Sequence, residues 1–265
     1  MIYAAFSVYL LGIVFMSMGI YRLWAQMLDP RWVNWALLPG TVVSEMAYIF
    51  GCLITGGEVR RAKLMGGAPS GRRRKASEDA EAEPTTEAEP KLRTVGPILS
   101  AFATIVACGV GILIVHALLG AAVIDHFQVG SEQLARALPA STGEFWDQLD
   151  GQLRLLRATS ATWLELDWLD WRVPLFVYLA TCLSLRVAPV RRPLRATLAA
   201  VVVLAGIIAL VGLVWGRFAG LMGYLWPLVT YLWGSLLFLL AVSLLVRGGV
   251  GLVRALIQSD TPAKG

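Results

Sequence analysis

Charge is scarce in this chain. Asp, Glu, Lys and Arg together make up 15% of its 265 residues, against 57% hydrophobic residues. An average soluble domain carries roughly 25% charged residues. A water-soluble globule of this composition lacks the polar groups to cover its own surface, and the mean hydropathy is +0.66. Histidine is nearly absent, with His116 and His126 the only two. The three cysteines, Cys52, Cys108 and Cys182, lie in apolar runs and form no C-x-x-C pair, which argues against a disulfide scaffold and a cysteine zinc finger. There is no P-loop, no G-x-S-x-G and no paired-His ladder, so the nucleotide-binding, serine-hydrolase and zincin signatures are all missing.

What the chain has instead is long apolar runs. Candidate spans are Ile2–Tyr21, Trp35–Thr55, Val95–Ile124, Val173–Val187, Ala196–Trp215 and Leu221–Val246. About 20 apolar residues cross a bilayer core, so the fold class expected is an all-α, polytopic transmembrane bundle of about six spans. The first run lacks a basic start and a cleavage site, and reads as a retained helix. The expected layout is spans one and two in 1–65, a disordered cytoplasmic loop in 66–93 and span three in 94–124. An acidic extracytoplasmic segment, 125–171, spans four to six in 172–250 and a tail, 251–265, follow. No repeat or strand pattern is evident.

The net charge of +5 is unevenly placed, and it reports topology before it reports any nucleic-acid partner. Asp125, Glu132, Glu144, Asp147, Asp150, Glu165, Asp167 and Asp170 crowd one segment, with only Arg136, Arg154 and Arg157 among them. Basic groups follow the second, fourth and sixth runs: Arg60–Lys63 and Arg72–Lys75, then Arg186–Arg195, then Arg247 and Arg254. Lys and Arg are retained on the cytoplasmic side. With six crossings, both termini are cytoplasmic and the acidic segment is outside, a topology suited to a bacterial inner membrane. Trp24, Trp32, Trp35, Trp163, Trp168, Trp171, Trp215 and Trp226 then fall near the outer face as an aromatic belt. Within the acidic segment, Ser141 and Glu144 form a capping-box signature. Phe145, Leu149, Leu153 and Leu156 share a helical face, and helices lying along the membrane surface are expected there.

The second run reads Leu38-Pro39-Gly40-Thr41-Val42-Val43-Ser44-Glu45-Met46-Ala47-Tyr48, with Thr55-Gly56-Gly57 beyond it. This resembles the membrane-embedded zinc metallopeptidases of the site-two-protease-like kind, in which a Pro-Gly turn precedes a helix bearing H-E-x-x-H. In that motif two His at i and i+4 share a face and ligate zinc, while the Glu activates the metal-bound water. Ser44 and Tyr48 stand at the two His positions, and Glu45 at the general-base position. A later segment, Tyr178 through Leu194, resembles a second family motif, with Arg186, Val190 and Pro193 at its His, Ser and Asp positions. The resemblance implies the family's fold. Because a catalytic zinc needs about three protein ligands, the substitutions imply a catalytically inactive member with no metal and no cofactor.

The function expected is therefore that of a membrane scaffold or binding subunit, whose partners are the lipid bilayer and another membrane protein. The alternatives are a peptidase-like enzyme with altered chemistry and a small-solute transporter subunit. Transport wants several polar groups along one path, and Glu45 and His116 are nearly alone within the runs. Glu45 and His116 are expected to pair in the membrane core, since an ionisable residue there seeks a partner.

Overall fold

The computed structural model describes residues 2–63, 85–89, 95–130, 134–188, 194–215 and 218–259. The elements in order are α1 (Ile2–Met27), α2 (Pro30–Ala36), α3 (Leu38–Ile54), β1 (Glu58–Lys63), β2 (Thr85–Glu89), α4 (Val95–Leu119), α5 (Ala121–Gly130), α6 (Thr142–Glu165), α7 (Arg172–Arg186), α8 (Leu194–Val214) and α9 (Phe218–Ser259). The fold is an all-α membrane bundle. Four helices, α1, α4, α8 and α9, are long and apolar enough to cross a bilayer. The 17 residues of α3 and the 15 of α7 reach about 25 and 22 Å at 1.5 Å per residue, short of the ~30 Å hydrocarbon core. The six expected spans thus resolve into four long helices and two short ones.

Helices suit this environment because each satisfies its own backbone groups without water. The hydroxyls follow the same rule. Thr41, Ser100, Thr104, Thr230 and Ser243 each donate to the carbonyl four residues back, at 2.6–3.0 Å, so a buried Ser or Thr needs no partner helix. Large apolar side chains cover the outside, among them Leu213 at 87% exposure and Leu245 at 75%. Such a surface belongs against lipid.

Directions differ from the alternating six-span reading. Along α1 and α9 the matched positions advance together. Tyr3 stacks on Phe218, Gly12 abuts Trp233, Gly19 faces Leu240, the Trp24 indole donates to Ser243 at 2.8 Å, and Gln26 meets Arg247. The two helices are parallel, whereas six alternating spans would make the first and last antiparallel. The first half of α1 also sits by the start of the acidic segment. Tyr9 Oη donates to the Ala135 carbonyl at 3.1 Å, and Ala5 and Tyr9 join one core cluster with Val123, Ile124 and Phe127. The expectation that the N-terminus and the acidic segment lie on opposite sides is therefore corrected. Trp24 accordingly stands at the far end, beside the Gln26–Arg247 contact, and not in an outer belt.

The reversal comes from α2 and α3. After Met27 the chain turns through Leu28 and Asp29, and α2 climbs back along α1, with Asn34 accepting from Tyr21 Oη at 3.1 Å. The elbow between α2 and α3 lies against α7, where the Ala36 carbonyl accepts from Tyr178 Oη at 2.8 Å. From there α3 descends antiparallel to α4, and a side chain at Gly51 would run into Ser100 near the start of α4. Helices α2 and α3 form a hairpin that enters and leaves the bundle at one end. Pro227 lies inside α9.

Two local expectations are met and one is corrected. Ser141 caps α6 by accepting from the Glu144 amide at 3.2 Å, while Glu144 Oε2 accepts from the Ala140 amide at 2.7 Å. Leu155 and Thr159 are buried against α9, while Phe145, Leu149 and Leu153 are exposed together along α6, the shared helical face expected of them. The correction concerns 66–93, read as disordered: residues 85–89 form a strand paired antiparallel with β1, setting Arg61 opposite Glu87. A basic strand and an acidic strand meet across an insertion too long for a local hairpin signal. The rest of that loop lies outside the described residues.

The parallel course of α1 and α9 has a direct test in a background with the three native cysteines replaced. An impermeant thiol reagent applied from one side should label Ile2→Cys and Ser141→Cys together, and Arg247→Cys only after permeabilisation or from the other side. Ile2→Cys labelling with Arg247→Cys would restore the alternating arrangement.

Candidate functional site

Pro39 and Gly40 open α3, and proline costs little in a first turn because its missing N–H would be unpaired there anyway. Gly40 then admits α7 at close range: a Cβ on it would run into the Cys182 carbonyl and approach Arg186 Cγ at 3.2 Å. The two short helices are thus locked together where the two noted sequence segments begin and end. One turn along α3, Ser44 is buried at 6% exposure and donates to the Thr41 carbonyl at 3.0 Å. Glu45 and Tyr48 are half-buried on the same helix.

On α7, Arg186 is 8% exposed. Its guanidinium donates to Asn34 Oδ1 and lies 4.8 Å from the centre of the Tyr21 ring. Its Nε has no hydrogen-bond partner among the described residues. Arg suits this setting because it is weakly hydrated and planar, so an amide and an aromatic face together replace much of its water. Arg186 therefore ties α7 to α1 and α2 as well as to α3. Val190 and Pro193 lie outside the described residues.

The structure does not bring Glu45 and His116 together. Gly51 meets Ser100, and Gly40 and Gly111 both abut the Cys182–Leu183 stretch. On that antiparallel register Glu45 comes level with residue 106, so His116 sits about 15 Å further along the axis. His116 lies instead beside Gly120 and tilts against Phe176, ring centres 6.5 Å apart, with no partner for Nδ1 among the described residues. The other histidine, His126, pairs with Glu165 at 3.4 Å and fastens α5 to α6 on an exposed flank.

What the arrangement can do chemically follows from its donors. Ser44 is spent on its own helix, and Arg186 brings a cation to the place where the second segment meets α3. Among the described residues, no three His, Cys, Asp or Glu side chains are grouped as metal ligands. Asn34, Tyr21, Tyr178 and Cys182 belong to this site and were not singled out from sequence. The signal for them was indirect: an arginine closing an apolar helix needs an acceptor, and Asn34 is the only Asn in the chain. Comparisons with family models, with curated proteins and with solved structures find no match.

Two stability measurements in detergent check this geometry. Asn34→Ala strands a buried guanidinium and should cost about 1.5–3 kcal/mol, the scale of a hydrogen bond to a charged group; a change below a few tenths would mean that Arg186 has other means of support. Glu45→Gln and His116→Ala should be additive, because sites more than about 10 Å apart rarely couple. A clear coupling energy between them would contradict the register.

Proposed function

We propose that the protein is a catalytically inactive relative of the site-two-protease-like membrane peptidases that serves as a scaffold or binding subunit for another membrane protein. One observation carries this reading. The two segments that resemble the family's motifs are far apart in sequence, yet they pack together through Gly40 and the Cys182–Arg186 stretch. That is where a peptidase of this kind would assemble its centre. In this chain the meeting point holds an arginine bonded to Asn34 and stacked on Tyr21, a packing device in place of a ligand set. A cation there opposes a divalent metal and leaves Glu45 without the zinc-bound water that a general base would activate.

The orientation proposed puts the end carrying Arg22, Arg195 and Arg247 in the cytoplasm of a bacterial cell, following the positive-inside rule. The acidic segment then faces outward together with the N-terminal end of α1. With α7 counted as a crossing beside the four long helices, the chain traverses the inner membrane five times, and α2–α3 re-enters without crossing.

Affinity purification in a mild detergent followed by mass spectrometry tests the reading. A stoichiometric membrane-protein partner, unchanged by Glu45→Gln, together with well under one zinc per chain by elemental analysis, is the expected result. Zinc near one per chain, or intact membrane proteins accumulating only in cells carrying Glu45→Gln, would establish an enzyme instead.

A further inference from the structure

We infer that a groove between α4 and α9 is a binding site for one phospholipid with an amine-bearing headgroup. Two cavities lie along these helices. The deeper one holds about 160 Å³ and is walled by Gly109 and Leu113 of α4 and Leu225 and Leu232 of α9, with Ile13 of α1 and Ser184 of α7 closing its inner side. An apolar cavity of ~150 Å³ is large enough to stay dry and accept a benzene-sized guest, so this space takes a length of hydrocarbon chain. Leu113 is 39% exposed, so the wall opens sideways, toward the bilayer.

About one helical turn further along α4 and α9 lies the mouth, about 430 Å³, bordered by His116 of α4 and Asp125 of α5 on one side and by Gly223, Tyr224 and Pro227 of α9 on the other. The groove is thus apolar at depth and polar at its rim, the layout of an amphiphile. The charged group on the rim is the Asp125 carboxylate. It repels an anionic headgroup and attracts an ammonium, while His116 and Tyr224 supply hydrogen-bonding groups for the phosphate and glycerol. Proline at Pro227 cannot donate a backbone N–H, which leaves a carbonyl of the preceding turn free of its helical donor beside the rim. Glycines keep the space open. A Cβ at Gly109 or at Gly223 would meet no atom within 4 Å, in contrast to the tight glycines at the helix contacts.

This site is independent of the degenerate peptidase motifs and stands on the membrane-bundle fold alone. The probes are phosphatidylethanolamine and phosphatidylglycerol with identical acyl chains, added back to delipidated protein and followed by native mass spectrometry. The expected result is one tightly held phosphatidylethanolamine, retained in preference to phosphatidylglycerol. Gly109→Phe and Gly223→Leu fill the space from opposite walls without touching the fold, and each should weaken retention by about tenfold or more, as loss of a buried apolar contact of that size implies. An unchanged melting temperature in either variant separates filling from misfolding. Asp125→Asn should bring the two lipids within about a factor of two, since an exposed ion pair supports no more than a several-fold preference. The Ser184 hydroxyl, on the apolar wall, has no partner among the described residues. A hydrocarbon chain is indifferent to it, so Ser184→Ala should leave retention unchanged. Equal retention in both filled variants, a preference for phosphatidylglycerol, or loss of binding in Ser184→Ala would each overturn the assignment.

Discussion

The bundle turns on a single awkward group, the guanidinium of Arg186, buried where four helices meet. A charge taken out of water is costly unless hydrogen bonds and polarisable faces replace its hydration, and the nearest replacements are the Asn34 amide and the Tyr21 ring. Satisfying Arg186 obliges α2 to fold back along α1 and holds the elbow at Ala36–Gly40 against α7. That elbow in turn places α3 at hard contact with α4 through Gly51 and Ser100. The same interaction therefore sets the hairpin, the course of α3 and the junction of the two motif segments. A wholly apolar residue at 186 would remove the reason for this packing as well as the charge.

The hairpin also explains which parts of the architecture were legible from sequence. Hydropathy identifies α1, α4, α8 and α9 because a helix that faces lipid must be apolar over its whole length, and the capping box at Ser141 marks the start of α6 within a residue. Direction was harder. The charge asymmetry is real, and the basic and acidic ends do lie at opposite ends of the bundle. Counting each apolar run as a crossing, however, makes parity depend on every run. The run at Trp35–Thr55 carries exposed apolar side chains such as Met46, Phe50 and Leu53, as a spanning helix would, yet it is split between two short helices; composition alone does not separate a crossing from a hairpin that lines the bundle. One mistaken crossing reverses α1. The Arg61–Glu87 strand pairing stayed hidden for a related reason: its partners are set by register across a long insertion.

At the site, the sequence identified Ser44, Glu45 and Arg186 as positions of interest, and the fold does bring the segments bearing them together. It did not identify what Arg186 would bind. Burial of Asn34 and Tyr21 against α7 is a long-range fact that no local periodicity encodes. The proposed Glu45–His116 pair failed on a quantity the sequence leaves free, the axial offset between antiparallel neighbours. Both residues were placed at similar depth by counting from assumed span ends. Since α3 begins at an elbow inside the bundle, about 15 Å must be added between them.

Glycine shows how the chain controls that offset and the spaces between its helices. With no hydrophobic force to press helices together in lipid, contact depends on close fit. Gly12 receives the Trp233 ring, Gly212 the Tyr3 ring, Gly40 the α7 backbone and Gly51 that of α4, and in each case a methyl group would collide. These four positions are where a helix is fixed in register. Gly109 and Gly223 do the reverse. A Cβ on either would meet no atom within 4 Å among the described residues, and they lie on two of the helices that line the lateral groove. The same residue type closes the α1–α9, α1–α8, α3–α7 and α3–α4 contacts and leaves room between α4 and α9. Rigidity gathers around Arg186, and the room for a guest lies away from it.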